Sequence, residues 1–321
     1  MPVIGNSSYT PPLFLANGHL QTIIPTLFRK VHGVVYQRQR IVTPDNDFLD
    51  LDWAVKGFRR LGVIAHGLEG DSNRAYVLGM VKALLRNGWD AVVWNARGCS
   101  GEPNRVLRFT HSGATEDLDT TLSYIAAARS YAEMALIGFS LGGNLTLKFL
   151  GERGKALSPQ ITKAVALSVP CDLEAGSIRL AKPANQIYMR HFLISLRRKI
   201  RRQMRALPGK IDDAGFRQLR SFKHFDDRYT APLHGFASAE DYWCKCACKP
   251  VLKNISVPTL LINARNDPFL TESCFPMEAA QTNRNLFLEM PASGGHLGFI
   301  TFNQGGHYWS ETRAMEFLGA E

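Results

Sequence analysis

No stretch of this chain is apolar for long enough to cross a bilayer. The richest, Ala132 to Leu150, is broken by Glu133, Ser140, two adjacent glycines, Asn144 and Lys148, whereas a spanning helix needs about 20 apolar residues. It reads as strand, turn and helix. Also missing at the start is a basic segment followed by an apolar run and a small-residue cleavage site, so no signal peptide is expected. Zinc sites usually pair one Cys-x₂₋₄-Cys with a second such pair. Here Cys244, Cys246 and Cys248 alternate with Lys245 and Ala247, and no second pair accompanies them. The six cysteines are therefore expected to be thiols in a reducing compartment, which implies a cytoplasmic location. Internal repeats, low-complexity tracts and a phosphate-cradling glycine loop are lacking as well. Neither a metal nor a cofactor is expected.

Acidic residues are scarce in one segment. From Arg179 to Lys223 thirteen Lys/Arg face Asp212 and Asp213 alone, which leaves 25 basic against 26 acidic residues elsewhere in a chain of net charge +10. An excess confined to one segment argues against a nucleic-acid-binding surface. Within it, Met189, Leu193, Leu196, Ile200, Met204 and Leu207 recur at steps of four and three, one face of a helix that Pro208-Gly209 stops. Arg190, Arg197, Arg198, Arg201, Arg202 and Arg205 occupy much of the remainder. Either the arginines are simply solvated, or they make peripheral contact with an anionic membrane surface.

The 321 residues, 45% hydrophobic and 21% charged, suffice for one large core. Val34–Val42 and Leu49–Val55 are strand-like and joined by turn residues. In the second, Leu49, Leu51, Trp53 and Val55 alternate with Asp50, Asp52 and Ala54, a half-buried antiparallel pattern. Short apolar runs then alternate with helix-length segments, as in Leu61–Ala65, Ala91–Trp94, Ala135–Ile137, Ala164–Val169, Thr259–Ile262 and Asn285–Leu288. That order implies an α/β fold with a mostly parallel central sheet and helices on both faces. About eighty residues between two core strands are too many for a plain connection. The expected organisation is therefore a core of residues 1–170 and 251–321, with an inserted helical cap at 171–250.

Gly138-Phe139-Ser140-Leu141-Gly142 follows an apolar run and opens a helical one, the strand–turn–helix setting of a nucleophile elbow. A serine hydroxyl needs a base to take its proton. His296, in a glycine-rich loop after the last expected strand, can reach back over the sheet; His307 is its rival, and His66 is expected to support its own loop. Asp267, after Thr259–Ile262, would orient the imidazole and stabilise its charged form; Glu272 is the fallback. The order Ser140, Asp267, His296 is that of α/β-hydrolases. For an oxyanion, the backbone N–H groups of Leu68 and Leu141 are the expected donors.

These features belong to longer strings: Asn17-Gly18-His19-Leu20-Gln21-Thr22, His66-Gly67-Leu68-Glu69-Gly70, Arg97-Gly98-Cys99-Ser100-Gly101-Glu102-Pro103-Asn104-Arg105, His111-Ser112-Gly113, Ser140-Leu141-Gly142-Gly143-Asn144, Phe225-Asp226-Asp227 and Gly294-Gly295-His296-Leu297-Gly298-Phe299. Together they resemble the YheT-like branch of the α/β-hydrolases, described as hydrolases or esterases; the alternating cysteines and Thr110 depart from it. The resemblance implies an α/β-hydrolase fold, the triad Ser140, Asp267 and His296, and a small-molecule ester substrate. The expected activity is carboxylic-ester hydrolysis on short- to medium-chain acyl esters or lipids, through an acyl-enzyme. Acyl transfer to an alcohol with the same triad is one alternative. A non-catalytic membrane-associated protein using the basic helix is another, and a C–C lyase on the same fold a third.

Overall fold

The computed structural model describes residues 2–319. A nine-stranded sheet runs in the order β1-β9-β8-β7-β6-β4-β5-β3-β2. Its strands are β1 (Val3–Ile4), β2 (Gln37–Val42), β3 (Phe48–Ala54), β4 (Arg60–Ala65), β5 (Trp89–Asn95), β6 (Glu133–Phe139), β7 (Ile161–Leu167), β8 (Thr259–Ile262) and β9 (Leu286–Glu289). Only β3 pairs antiparallel, with β2 and with β5; every other pairing is parallel. The two-residue β1 carries no periodicity and was not expected; it extends the sheet beyond β9.

Helices α1 (Gly18–Phe28), α2 (Ala75–Arg86), α3 (Thr115–Ala128) and α4 (Leu141–Arg153) precede β7. Alternation along the parallel strands divides the core between two faces. Leu61, Val63 and Leu136 pack with Leu118, Leu122 and Ile125 of α3 and with Leu145 of α4. Ile64, Ala135 and Ile137 pack with Val77, Met80 and Leu84 of α2 on the opposite face. That second face also receives Ala314, Met315 and Leu318 of the terminal helix.

Between β7 and β8 lie α5 (Leu173–Ala181), α6 (Gln186–Ala206), α7 (Phe222–Phe225), α8 (Ala231–His234) and α9 (Ala239–Cys246); α10 (Met277–Thr282) and α11 (Trp309–Leu318) follow β8 and β9. The segment before β8 is thus helical, and it builds most of an apolar cluster in which Met189, Leu193 and Ile200 of α6 meet Phe216, Phe225 and Tyr229, with Phe109 and Phe269 joining from the core. The arginines of α6 mostly face outward, but Lys199 and Gln203 are buried with the apolar face, which the four-and-three spacing did not reveal.

Strand β3 corrects the half-buried expectation: all seven of its residues are buried, the aspartates included. Arg38 and Arg40 of the edge strand β2 grip Asp52 and Asp50 through paired N–H donors at 2.7–2.9 Å. Ser72 and Asn95 also donate to Asp52. The alternation marked which residues share a face; it could not show that the polar face is roofed by guanidinium groups.

A second buried cluster fixes the loop after β5. The Arg97 guanidinium, shielded from solvent, binds Asp117 of α3 at 2.8 Å and Asp45 and Asp47 of the β2–β3 turn at 2.9 Å. Removing one partner of a buried pair costs about 3–5 kcal/mol because the remaining charge stays uncompensated. Arg97→Ala should therefore lose stability on that scale in urea-induced unfolding, and a loss below about 1 kcal/mol would show the cluster to be solvated.

Candidate active site

At the carboxyl end of β6 the chain must turn at once into α4. Ser140 makes the turn with φ 52° and ψ −117°, a left-handed conformation that costs a non-glycine residue on the order of 1–3 kcal/mol. Its N–H donates to Leu167 O at 2.8 Å, tying the turn to β7. Glycine is required on both sides. A Cβ on Gly138 would fall 2.6 Å from Gly142 O and Gly143 Cα, and one on Gly142 would strike the Ala65 and His66 carbonyls.

The imidazole of His296 lies between this serine and a buried carboxylate. Nε2 is 2.9 Å from Ser140 Oγ, and Nδ1 is 2.8 Å from Asp267 Oδ2. With Asp267 ionised, Nδ1–H donates to it and Nε2 keeps the lone pair that accepts the serine O–H. The other oxygen, Oδ1, accepts the Phe269 N–H at 2.8 Å. The Phe269 ring covers the imidazole at 4.1 Å between centroids.

Sequence reasoning missed the residues that hold the histidine loop. Thr22 Oγ1 of α1 accepts the His296 N–H at 2.9 Å, Asn266 Oδ1 accepts that of Gly295 at 3.0 Å, and Ser168 Oγ accepts that of Leu297 at 3.0 Å. Thr22 lies 274 residues away in the chain; only its place in the string after Asn17 hinted at a role.

Across from the serine, the loop after β4 is equally constrained. Gly67 N–H donates to Tyr76 Oη at 3.0 Å. His66 Nδ1 donates to Gly67 O at 2.8 Å while its Nε2 accepts from Ala96 N–H at 3.1 Å, so both ring nitrogens are engaged in holding the loop. Burial pushes its pKa down. The Leu68 N–H has no protein acceptor among the described residues, and Leu141, as the first residue of α4, has no intrahelical acceptor for its own. Both residues line the hollow that contains Ser140 and His296. His307 and Glu272 do not line it: His307 lies in a separate surface depression beside Arg29 and Lys82, and Glu272 starts a short helical turn beyond Asp267.

A family model described as the alpha/beta hydrolase fold matches residues 63–302. YheT of Escherichia coli (strain K12), a candidate esterase by its name, is 37% identical over 98% of this chain and 93% of its own length. The chain belongs to the α/β-hydrolase family, in its YheT-like branch. Human phospholipase ABHD3 is 28% identical over 93% of the chain and 75% of its own. The structure of the Pyrococcus furiosus esterase Pf2001 matches with a TM-score of 0.59, covering 90% of this chain and 97% of that one; at 18% identity the likeness is one of fold.

In this member of the family, two hollows meet at Ser140 and His296. One, of about 120 Å³, lies beneath the helical insert and is walled by Phe109, Leu173, Leu180, Phe192 and Phe225. The other, of about 340 Å³, opens between Ile23 and Leu27 of α1 and Ile187 and His191 of α6. His19 of α1 stacks on Tyr188 of α6, their polar atoms 3.0 Å apart, which joins the two helices beside that opening.

Asp226 lines the smaller hollow on the side of the insert. Asp226 starts a short π-helical turn, Asp226–Thr230, and its oxygens accept Thr230 Oγ1 at 2.5 Å and Trp243 Nε1 at 2.9 Å. Burial nevertheless pushes its carboxyl up to about 7. A raised acid makes the folded state pay for ionisation. The cost is absent below the ordinary aspartate range near pH ~3.9, grows as pH rises, and is complete above about 7. Asp226→Asn should accordingly raise the melting temperature relative to the parent more at pH 8 than at pH 5. Equal shifts at both values would mean the carboxyl titrates normally.

Proposed function

We propose that the chain is a serine hydrolase cleaving carboxylic esters through an acyl-enzyme. The observation that carries the reading is the continuous path from Ser140 Oγ through His296 to Asp267, at 2.9 and 2.8 Å, on a serine held in a left-handed turn. Nε2 takes the serine proton as Oγ attacks the ester carbonyl carbon. Leu68 and Leu141 N–H groups hold the resulting oxyanion, the term that commonly contributes most. Collapse breaks the C–O bond to the alcohol, which leaves with the proton from Nε2. Water then enters, gives a proton to Nε2 and attacks the acyl carbon; collapse returns the proton to Oγ and frees the acid. Asp267 stays ionised and stabilises the imidazolium.

Residues 171–250 serve as a cap, and the small hollow beneath them receives the acyl chain. A volume of about 120 Å³ suits short to medium chains, while the larger opening takes the alcohol. Relatives named phospholipase and monoacylglycerol lipase are in keeping with a lipid alcohol. Ser140→Ala should stay folded and lose esterase activity and fluorophosphonate labelling together, by about 10⁴-fold or more. His296→Ala should be nearly as damaging and His307→Ala nearly silent; retained turnover in either of the first two sinks the assignment. Product analysis with added alcohol separates hydrolysis from acyl transfer.

The lipid alcohol would reach the opening from an anionic membrane surface. Beside it, Leu27 and Ile187 are two-thirds exposed. The outward face of α6 continues through Arg190, Ile194, Arg198, Arg202 and Arg205, and these four arginines have no acidic partner among the described residues; Arg197 and Arg201 share Asp213. Each unpaired arginine near an anionic surface contributes about 1 kcal/mol. Replacing the four with glutamine should release the protein from phosphatidylserine vesicles at low salt while activity on soluble short-chain esters survives. Wild-type protein that ignores such vesicles would end the docking reading.

A further inference from the structure

The loop that carries Leu68 is gripped from the insert as well as from the core. Glu69, the next residue, stands at φ 53°, again in the left-handed region that a non-glycine residue leaves unless its surroundings hold it. From the core side, Arg74 donates to the Glu69 carbonyl at 2.8 Å and Tyr76 holds Gly67. From the insert, Lys199 Nζ of α6 lies 2.5 Å from the Glu69 carboxylate, both side chains nine-tenths removed from solvent. Ser195 Oγ, one turn earlier on α6, donates to Glu69 Oε2 at 3.4 Å. The remaining contacts of Nζ are Cys99 Sγ at 3.3 Å and Arg97 O at 3.5 Å. Cys99 is a neutral thiol, pushed up to about 11 by burial, so among the described residues in contact with the ammonium the carboxylate is the one opposing charge.

Packing does not call for a lysine here. Leu196, Ile200 and Met189 share its side of α6, where an apolar residue of similar volume would seat as well, and buried ion pairs add little net stability over such a replacement. What the pair supplies is direction: a contact between residues 130 apart in sequence that fixes the carboxyl arm of one particular residue. Lys199 and Glu69 both line the hollow containing Ser140.

We propose that Lys199 is a positioning residue for the oxyanion loop: by holding the Glu69 carboxylate across the cap boundary, it keeps the Leu68 N–H aimed at the oxygen that becomes negative. This rests on the ester-hydrolase reading and on Leu68 as a donor. Removing an oxyanion donor costs about 10²–10³ in turnover, and a misaimed donor costs less. The loss belongs to the transition state and not to ground-state binding.

The test uses Lys199→Met, Lys199→Arg and Glu69→Gln in the full chain. Turnover of a soluble short-chain nitrophenyl ester is measured alongside affinity for two inhibitors. One is a trifluoromethyl ketone, which forms an oxyanion on the serine; the other is the ether analogue of the ester, which does not. Lys199→Met should lower kcat about 10- to 100-fold with KM within about twofold. It should weaken the ketone by the same factor and leave the ether unchanged, while Lys199→Arg restores most of the loss. Glu69→Gln, which keeps the volume of the arm, should follow Lys199→Met and carries the test if the methionine variant does not fold. A folded variant with wild-type kcat, or one that loses ketone and ether equally, overturns the proposal. Wild-type protein without Ser140-dependent ester turnover overturns the ester-hydrolase reading itself, and this inference falls with it.

Discussion

Everything about the candidate site depends on one unfavourable backbone conformation, that of Ser140 between β6 and α4. A helix cannot follow a parallel strand so abruptly unless one residue adopts φ 52°, and nothing in the serine itself favours that value. The surroundings impose it. The Ser140 N–H is held by β7, the Ala65 and His66 carbonyls press on Gly142, and Gly138 leaves room for the first turn of α4. The result sets the hydroxyl above the sheet and makes Leu141 the first residue of a helix, with its N–H unspent. The loops after β4, β8 and β9 then need only reach that point, and each is anchored by its own side-chain hydrogen bonds.

Helix α6 has to satisfy three environments at once. Its apolar side closes the cluster around Phe216 and Phe225. Its outer side carries four arginines without acidic partners among the described residues, in a helix that contains no Asp or Glu. Between these, Lys199 reaches inward past the apolar side to Glu69 on the loop beneath. This 21-residue helix thus touches the opening between the insert and α1 at one end and a core loop near its middle.

Buried charge is the feature that hydropathy alone treats worst. Asp50 and Asp52 sit on a strand whose alternation suggests a wet face, yet Arg38 and Arg40 cover them. Arg97 opens a string rich in turn residues and is buried among three aspartates. Lys199 lies among the arginines of α6, beside an apolar face whose spacing gives no sign that a lysine is buried with it. In each case the compensating charge is distant in sequence. A linear pattern records the charge without its partner, and the partner decides whether the group can be buried.

The amino-acid sequence by itself determined the fold class, because alternating short apolar runs and helix-length segments admit a parallel sheet covered on both faces. It also determined the place of Ser140, since glycines at fixed offsets between an apolar run and a helical one mark a turn too sharp for other residues. Chain order and loop context pointed to Asp267 and His296 beside it, with Glu272 and His307 as rivals, and the fold brings the first two to Ser140. Only the tertiary structure decided that Thr22, Ser168 and Asn266 hold the histidine loop, and that Gly67 is engaged while Leu68 is not. Only there does Lys199 meet Glu69. These are single hydrogen bonds and ion pairs between segments far apart in the chain, whose directions depend on how the insert lies over the sheet, and no local periodicity encodes them.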